Sequence, residues 1–181
     1  MTTIKIENIV AYAKVSDLLD IELLSDKIPG SSYNPDEFKG LSIKFDELKI
    51  AVIILSNGKI VCTGAKKIED AKTTIKKVVK QVKDIGFETE KNYKIEIENV
   101  IASTDLKQEL HLSSIANALI LQKPEYEPEK FPGLIYKMED LCTVVLLFSS
   151  GKLVCTGAKS IDDAKKAINE MIRKLTSIGV L

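Results

Sequence analysis

A chain of 181 residues with 45% hydrophobic content can bury a core, which excludes intrinsic disorder and fits one ordinary domain or two small ones. Its 26 basic and 26 acidic side chains cancel, so nothing in the gross charge argues for nucleic acid or an anionic membrane as partner. No apolar run approaches the roughly 18 residues of a membrane span, and MTTIKIENIVAYAK lacks the unbroken apolar stretch of a signal peptide, so a soluble, cytosolic protein is expected.

The elements can be read in chain order. TIKIENIVAYA alternates polar and apolar residues, the pattern of a strand with unlike faces, and SDLLDIELLSDKI follows at helical spacing. After the Pro-containing loop YNPDEF comes the strand GLSIKF (40–45). KIAVIIL, apolar on both faces, is joined by the turn SNGK to IVCTG, a hairpin in which glycine accepts positive φ. KKIEDAKTTIKKVVKQVKDIG then places Ile68, Ala71, Ile75, Val78, Val79 and Val82 on one helical stripe and ends at a glycine. The same series returns: YKIEIENVIAS, DLKQELHLSSIANAL, YEPEKF, GLIYKM (133–138), CTVVLLF, SSGK, LVCTG and KSIDDAKKAINEMIRKLTSIG, with Ile161, Ala164, Ile168, Ile172 and Leu175 on the stripe.

Self-comparison makes the duplication explicit. Asn8 pairs with Asn99 and Tyr33 with Tyr126, the second copy carrying two extra residues near ALILQKP, where a loop can absorb them. From Phe38 to Lys72 and Phe131 to Lys165 about half the positions are identical. Two long repeats are too few for a solenoid. They predict instead a pseudo-dimer in one chain, residues 1–91 and 92–181 forming one intimately joined α+β domain.

The hairpins pose a physical problem. If Val52, Ile54, Ile60 and Cys62 face the helices, then Ile53, Leu55, Val61 and Thr63 are left over, as are Leu146, Phe148, Val154 and Thr156 in the second copy. An apolar sheet face of that extent is a binding surface or an oligomer interface. Lysines recur at its margins: Lys44 with Lys137, Lys59 with Lys152, Lys66 with Lys159. Cys62 and Cys155 read as buried reduced thiols. His111 has no cysteine or acid pattern around it, and the acids at the long-helix starts suit the helix dipole. No paired carboxylate, Cys/His pair or phosphate loop suggests catalysis, so no enzyme, metal or cofactor is expected.

With NIV, YNPDEF, SNGKIVCTGAK, YEPEKFPGLIYKM and LLFSSGKLVCTGAK, the chain resembles the TATA-box-binding protein family over nearly its whole length, and its archaeal two-repeat form in particular. The resemblance implies one saddle-shaped, curved antiparallel sheet with helices on the convex face, the concave face seated on the widened minor groove of double-stranded A·T-rich promoter DNA. It implies base or floor contacts from Asn8, Val10, Ile53, Val61, Thr63, Asn99, Ile101, Leu146, Val154 and Thr156. The wedge positions that open base steps are Phe38, Leu55, Phe131 and Phe148, and the phosphate contacts are Lys44, Lys59, Lys66, Lys137, Lys152 and Lys159. The sequence departs from the family where Leu55 replaces a usual phenylalanine and Lys39 a usual small residue or proline, which predicts a weaker wedge in the first repeat. The resemblance also implies recruitment of transcription factor B through Glu127 and Glu129, with Lys130 where leucine is common, and of RNA polymerase indirectly. It implies a cytoplasmic, nucleoid-associated location, or a nuclear one in a eukaryote, and leaves open a homodimer of the free protein. The alternative is a homodimeric α+β protein that does not bind DNA and uses the apolar sheet as an oligomer or ligand interface.

Overall fold

The computed structural model describes residues 3–181. Its contacts divide the chain into two compact units, one spanning Asn8–Glu98, the other joining Asn99–Leu181 to the start of the chain as far as Glu7. The units therefore follow the repeats except at the edges, where the beginnings of the first strand of each repeat change sides.

In the unit spanning Asn8–Glu98 the elements are β1 (Lys5–Lys14), α1 (Ile21–Lys27), β2 (Ser31–Asn34), β3 (Phe38–Phe45), β4 (Ile50–Leu55), β5 (Lys59–Ala65) and α2 (Ile68–Ile85). Its strands are ordered β2-β3-β4-β5-β1, all antiparallel. The second unit repeats the plan with β6 (Ile95–Asp105), α3 (Leu112–Ala118), β7 (Leu134–Met138), β8 (Thr143–Leu147), β9 (Lys152–Ala158) and α4 (Ile161–Ser177), in the order β6-β9-β8-β7.

The two-residue period of the hairpins decides which face meets the helices. Val52, Ile54, Ile60 and Cys62 are fully buried, and α2, which packs on β4 and β5, buries Ala71, Thr74, Ile75, Val78, Val79 and Val82. In the second unit Val145, Leu147, Leu153 and Cys155 meet Ala164, Ala167, Ile168, Met171 and Leu175 of α4. Each large side chain so buried contributes about 1.5–3 kcal/mol, which makes this layer the main source of stability. Met171 rather than Ile172 is fully buried, because it lies three residues on from Ile168 and four before Leu175 on the inward stripe.

The short helices are shorter than their spacing predicts, for a reason repeated in both units. Ahead of α1 the backbone N–H groups of Val15 and Leu19 donate to the carbonyls of Gly58 and Ser56 in the β4–β5 turn, at 2.9 and 2.8 Å. Ahead of α3 those of Leu106 and Leu110 donate to Gly151 and Ser149, at 3.0 and 2.8 Å. The segment ahead of each short helix is thus pinned along a hairpin turn, and α1 begins after Asp20, whose carboxylate accepts from the Leu23 N–H at 3.0 Å. The approach is close enough to need glycine. Gly58 and Gly151 have φ of +79° and +87°, and a Cβ on them would lie 1.9 Å from the Ser16 carbonyl oxygen and 2.1 Å from that of Gln108.

The loop reading of YNPDEF misses β2, a short edge strand on β3 whose residues carry little apolar signal. Its counterpart shrinks to a single bridge, Glu125 with Ile135, and the two extra residues are taken up in a 3₁₀ turn over Ile120–Gln122.

Candidate nucleic-acid interface

The face of each sheet away from its long helix carries the predicted residues. Across the strands, Ile53 stands opposite Val61 and Ala51 opposite Thr63; in the second unit Leu146 stands opposite Val154 and Val144 opposite Thr156. All eight are half-buried, as are Val10 and Ile101, so each unit presents an apolar patch that no helix covers. Lys44 and Lys137 lie on the same faces, opposite Ala51 and Val144, and both are exposed. Lys137 pairs with Glu125 at 2.5 Å.

The polar part of each patch is built once and used twice. The side-chain oxygen of Asn8 accepts from the Gly64 N–H at 2.7 Å, and its amide nitrogen donates to Thr63 Oγ1 at 3.1 Å. In the second unit Asn99 accepts from Gly157 at 2.7 Å and donates to Thr156 Oγ1 at 3.3 Å. A glycine makes this possible: Gly64 and Gly157 have φ of +95° and +89°, which turn their N–H groups toward the asparagines. The consequence is chemical. With the amide carbonyl accepting from the glycine N–H and the threonine oxygen accepting from the amide, the second amide hydrogen and the threonine O–H are left to donate toward the open face.

The ends of the patches hold the aromatic residues. Phe131 and Phe148 meet edge to face, centroids 5.9 Å apart, over Gly133, where an added Cβ would lie 2.7 Å from Phe131 and 3.1 Å from Phe148. In the first unit Phe38, 51% exposed, lies over Gly40, and Leu55 stands across from that glycine. Lys66 and Lys159 are exposed at the ends of β5 and β9, and Lys39 is exposed beside Phe38. Glu127 and Glu129 sit on the turn before Phe131, with Lys130 paired to Glu127.

The sequence reading passes over one residue on this face. Tyr12 stands opposite Val61, two residues on from Val10, so strand alternation alone could have found it. Its hydroxyl donates to Glu96 at 2.5 Å, a bond that raises its pKa. Lys59, expected at a phosphate, has its ammonium 4.2 Å from the centre of the Tyr12 ring and 3.0 Å from Glu98. The counterpart of Tyr12 is Ser103, which donates to Glu7 at 2.5 Å.

Among the described residues there is no group of three or more His, Cys, Asp or Glu able to hold a metal ion, and no helix long and apolar enough to cross a membrane. The sequence pattern of the family described as "Transcription factor TFIID (or TATA-binding protein, TBP)" matches residues 3–85 and 94–178. The chain belongs to the TATA-binding protein family. It is 42% identical over 178 residues to the TATA-box-binding protein of Archaeoglobus fulgidus, covering 98% of this chain and 97% of that protein. It is 44% identical to that of Pyrococcus abyssi, covering 98% and 92%. The solved structure of Methanococcus jannaschii TBP superposes with a TM-score of 0.83 at 41% identity, covering 96% of this chain and 98% of that one. The fold is therefore that of the TATA-binding proteins, two α+β repeats in one chain.

Proposed function

We propose that this protein is a general transcription initiation factor that binds A·T-rich promoter DNA in the minor groove. The observation that carries the reading is the duplicated Asn–Thr–Gly arrangement, which leaves an amide hydrogen and a hydroxyl hydrogen to donate at an otherwise apolar face. The minor groove of A·T pairs offers only acceptors, adenine N3 and thymine O2, whereas guanine adds an amino donor that would meet a donor or a hydrocarbon here. The relatives' names, TATA-box-binding protein, support it.

In this reading Val10, Ile53, Val61, Ile101, Leu146 and Val154 form the floor, Asn8, Asn99, Thr63 and Thr156 reach base edges, and Phe38, Leu55, Phe131 and Phe148 enter base steps. Apolar bulk suffices to unstack a step, so Leu55 can still wedge. The expected phosphate contacts are Lys44, Lys59, Lys66, Lys137, Lys152 and Lys159. Glu127 and Glu129 receive transcription factor B, which brings RNA polymerase, and the protein works at the nucleoid.

The test is a titration of A·T-rich and G·C-rich duplexes across a salt series. Preference for the A·T duplex is expected, with log affinity falling by about 0.9 per decade of salt for each phosphate neutralised. Equal binding to both duplexes, or to neither, overturns the reading.

A further inference from the structure

The two units differ at the matching positions Tyr12 and Ser103, and the difference bears on what the lysine beside each can do. Tyr12 stands opposite Val61 and Ser103 opposite Val154, the same register position in each repeat. In the unit spanning Asn8–Glu98 the Tyr12 ring lies under the Lys59 ammonium at 4.2 Å, and Glu98 holds that ammonium from another side at 3.0 Å. The phenol is itself fixed by its hydrogen bond to Glu96. Lys59 is drawn in by these contacts, its side chain only 29% exposed. Lys14, directly opposite Lys59 on β1, is turned to Asp17 and to the Asn57 carbonyl.

Around Ser103 the arrangement is reversed. Ser103 borders a cavity of about 650 Å³, lined among others by Lys5, Glu7, Asp105, Lys107 and Lys152. The carboxylates there have closer donors: Glu7 accepts from Ser103, and Asp105, though attracted to Lys152 across the strands, accepts from Lys107 at 2.8 Å through both the Lys107 backbone N–H and its ammonium. Lys152 is exposed, opposite Asp105.

We propose that Tyr12 and Glu98 withhold Lys59 from the DNA backbone, so that of the two matching lysines only Lys152 contacts a phosphate. Tyr12 is then a positioning residue of the DNA-binding face, acting through Lys59, and it makes the two repeats grip the duplex backbone unequally. The inference rests on the minor-groove reading above. A cation shared between a carboxylate and an aromatic face must give up both to reach a phosphate, and the counterion gain for one contact is the same at either lysine.

The experiment is the salt dependence of binding to an A·T-rich duplex. Lys152→Ala should reduce the slope of log affinity against log salt by about 0.9, and Lys59→Ala should leave it unchanged. In a Tyr12→Ser, Glu98→Gln background Lys59 is released, and Lys59→Ala should now reduce the slope by about 0.9. Glu98→Gln alone, which leaves the ring in place, gives an intermediate slope. The proposal is overturned if Lys59→Ala and Lys152→Ala reduce the wild-type slope equally, or if Lys59→Ala remains silent in the double background. A wild-type protein that does not prefer A·T over G·C overturns the minor-groove reading itself, a result separate from either lysine arm.

Discussion

The two ends that would enter base steps are built from the same strand positions and packed differently. In the second unit Phe131 and Phe148 form an edge-to-face pair over Gly133, each ring supported by the other. In the first, Phe38 is half-exposed over Gly40, and the residue matching Phe148 is Leu55, a shorter side chain with no aromatic face. Beneath both ends the scaffold is nearly identical: the same hairpin, the same glycine at its turn, the same docking of the segment before the short helix. Duplication has kept the turn contacts beneath and the Asn–Thr–Gly cluster of the open face, while core side chains such as Val78 against Met171 and the wedge pair Leu55 against Phe148 have changed. A core tolerates such exchanges of one apolar side chain for another when total volume is kept.

If the scaffold is symmetric, breaking it at matching places should cost the same. Gly58→Ala and Gly151→Ala put a Cβ within 1.9 and 2.1 Å of a backbone oxygen at positive φ, and neither backbone can yield without undoing the hydrogen bonds that dock the segments ahead of α1 and α3. Each should lower stability by about 3 kcal/mol or more, read as the urea midpoint. Gly86→Ala, also at positive φ but with open space around it, should cost about 1 kcal/mol. A loss confined to one of the two turn glycines would show the scaffolds unequal.

If the face is asymmetric, matching substitutions there should differ. Phe148→Ala should weaken binding to an A·T-rich duplex by about 2 kcal/mol, in the range of an aromatic–base stack and with the further loss of the support it gives Phe131. Leu55→Ala removes less surface and no stacking, and should cost less than about 1 kcal/mol. Equal losses in a binding titration would sink the asymmetry of the wedges. Asn8→Ala and Asn99→Ala form the opposite case. Both asparagines have the same glycine and threonine partners, so each should cost about 1 kcal/mol, mainly in preference for A·T over G·C.

The alternation of IVCTG and LVCTG, read with the helical stripes, was enough to divide the hairpin residues between core and open face, and the structure places Val61, Thr63, Val154 and Thr156 accordingly. Period-two and period-3.6 patterns are local, so a sequence carries them openly. What is not local was not legible. The short α1 and α3 follow segments pinned by hydrogen bonds to a turn some 40 residues away. The glycine N–H groups that orient Asn8 and Asn99 act across strands from residues 56 and 58 positions away. Lys59 reads as one of a symmetric set of lysines until its surroundings, Tyr12 and Glu98, are brought together by β1 and β6. The residue that breaks the symmetry was visible as Tyr12 against Ser103, but only its contacts show that it matters.

The smallest effect tests the symmetry of the core. Cys62 and Cys155 occupy matching places, both fully buried, and burial pushes each thiol up to about 11. Cys142 is exposed. In the native protein at neutral pH a disulfide reagent should therefore modify one thiol of three, and all three after unfolding. The same burial sets a pH dependence. Below the ordinary thiol value of 9.0, both folded and unfolded chains keep these protons and stability is unaffected. Between 9 and about 11 the unfolded chain ionises and the folded one does not, so each cysteine lowers stability as pH rises through that window. Urea midpoints for Cys62→Ala and Cys155→Ala should each fall less steeply over this range than the wild type, and by the same amount. A steeper response in one unit than in the other would mean that the changed core neighbours, Val78 against Met171 among them, leave the two thiols unequally buried.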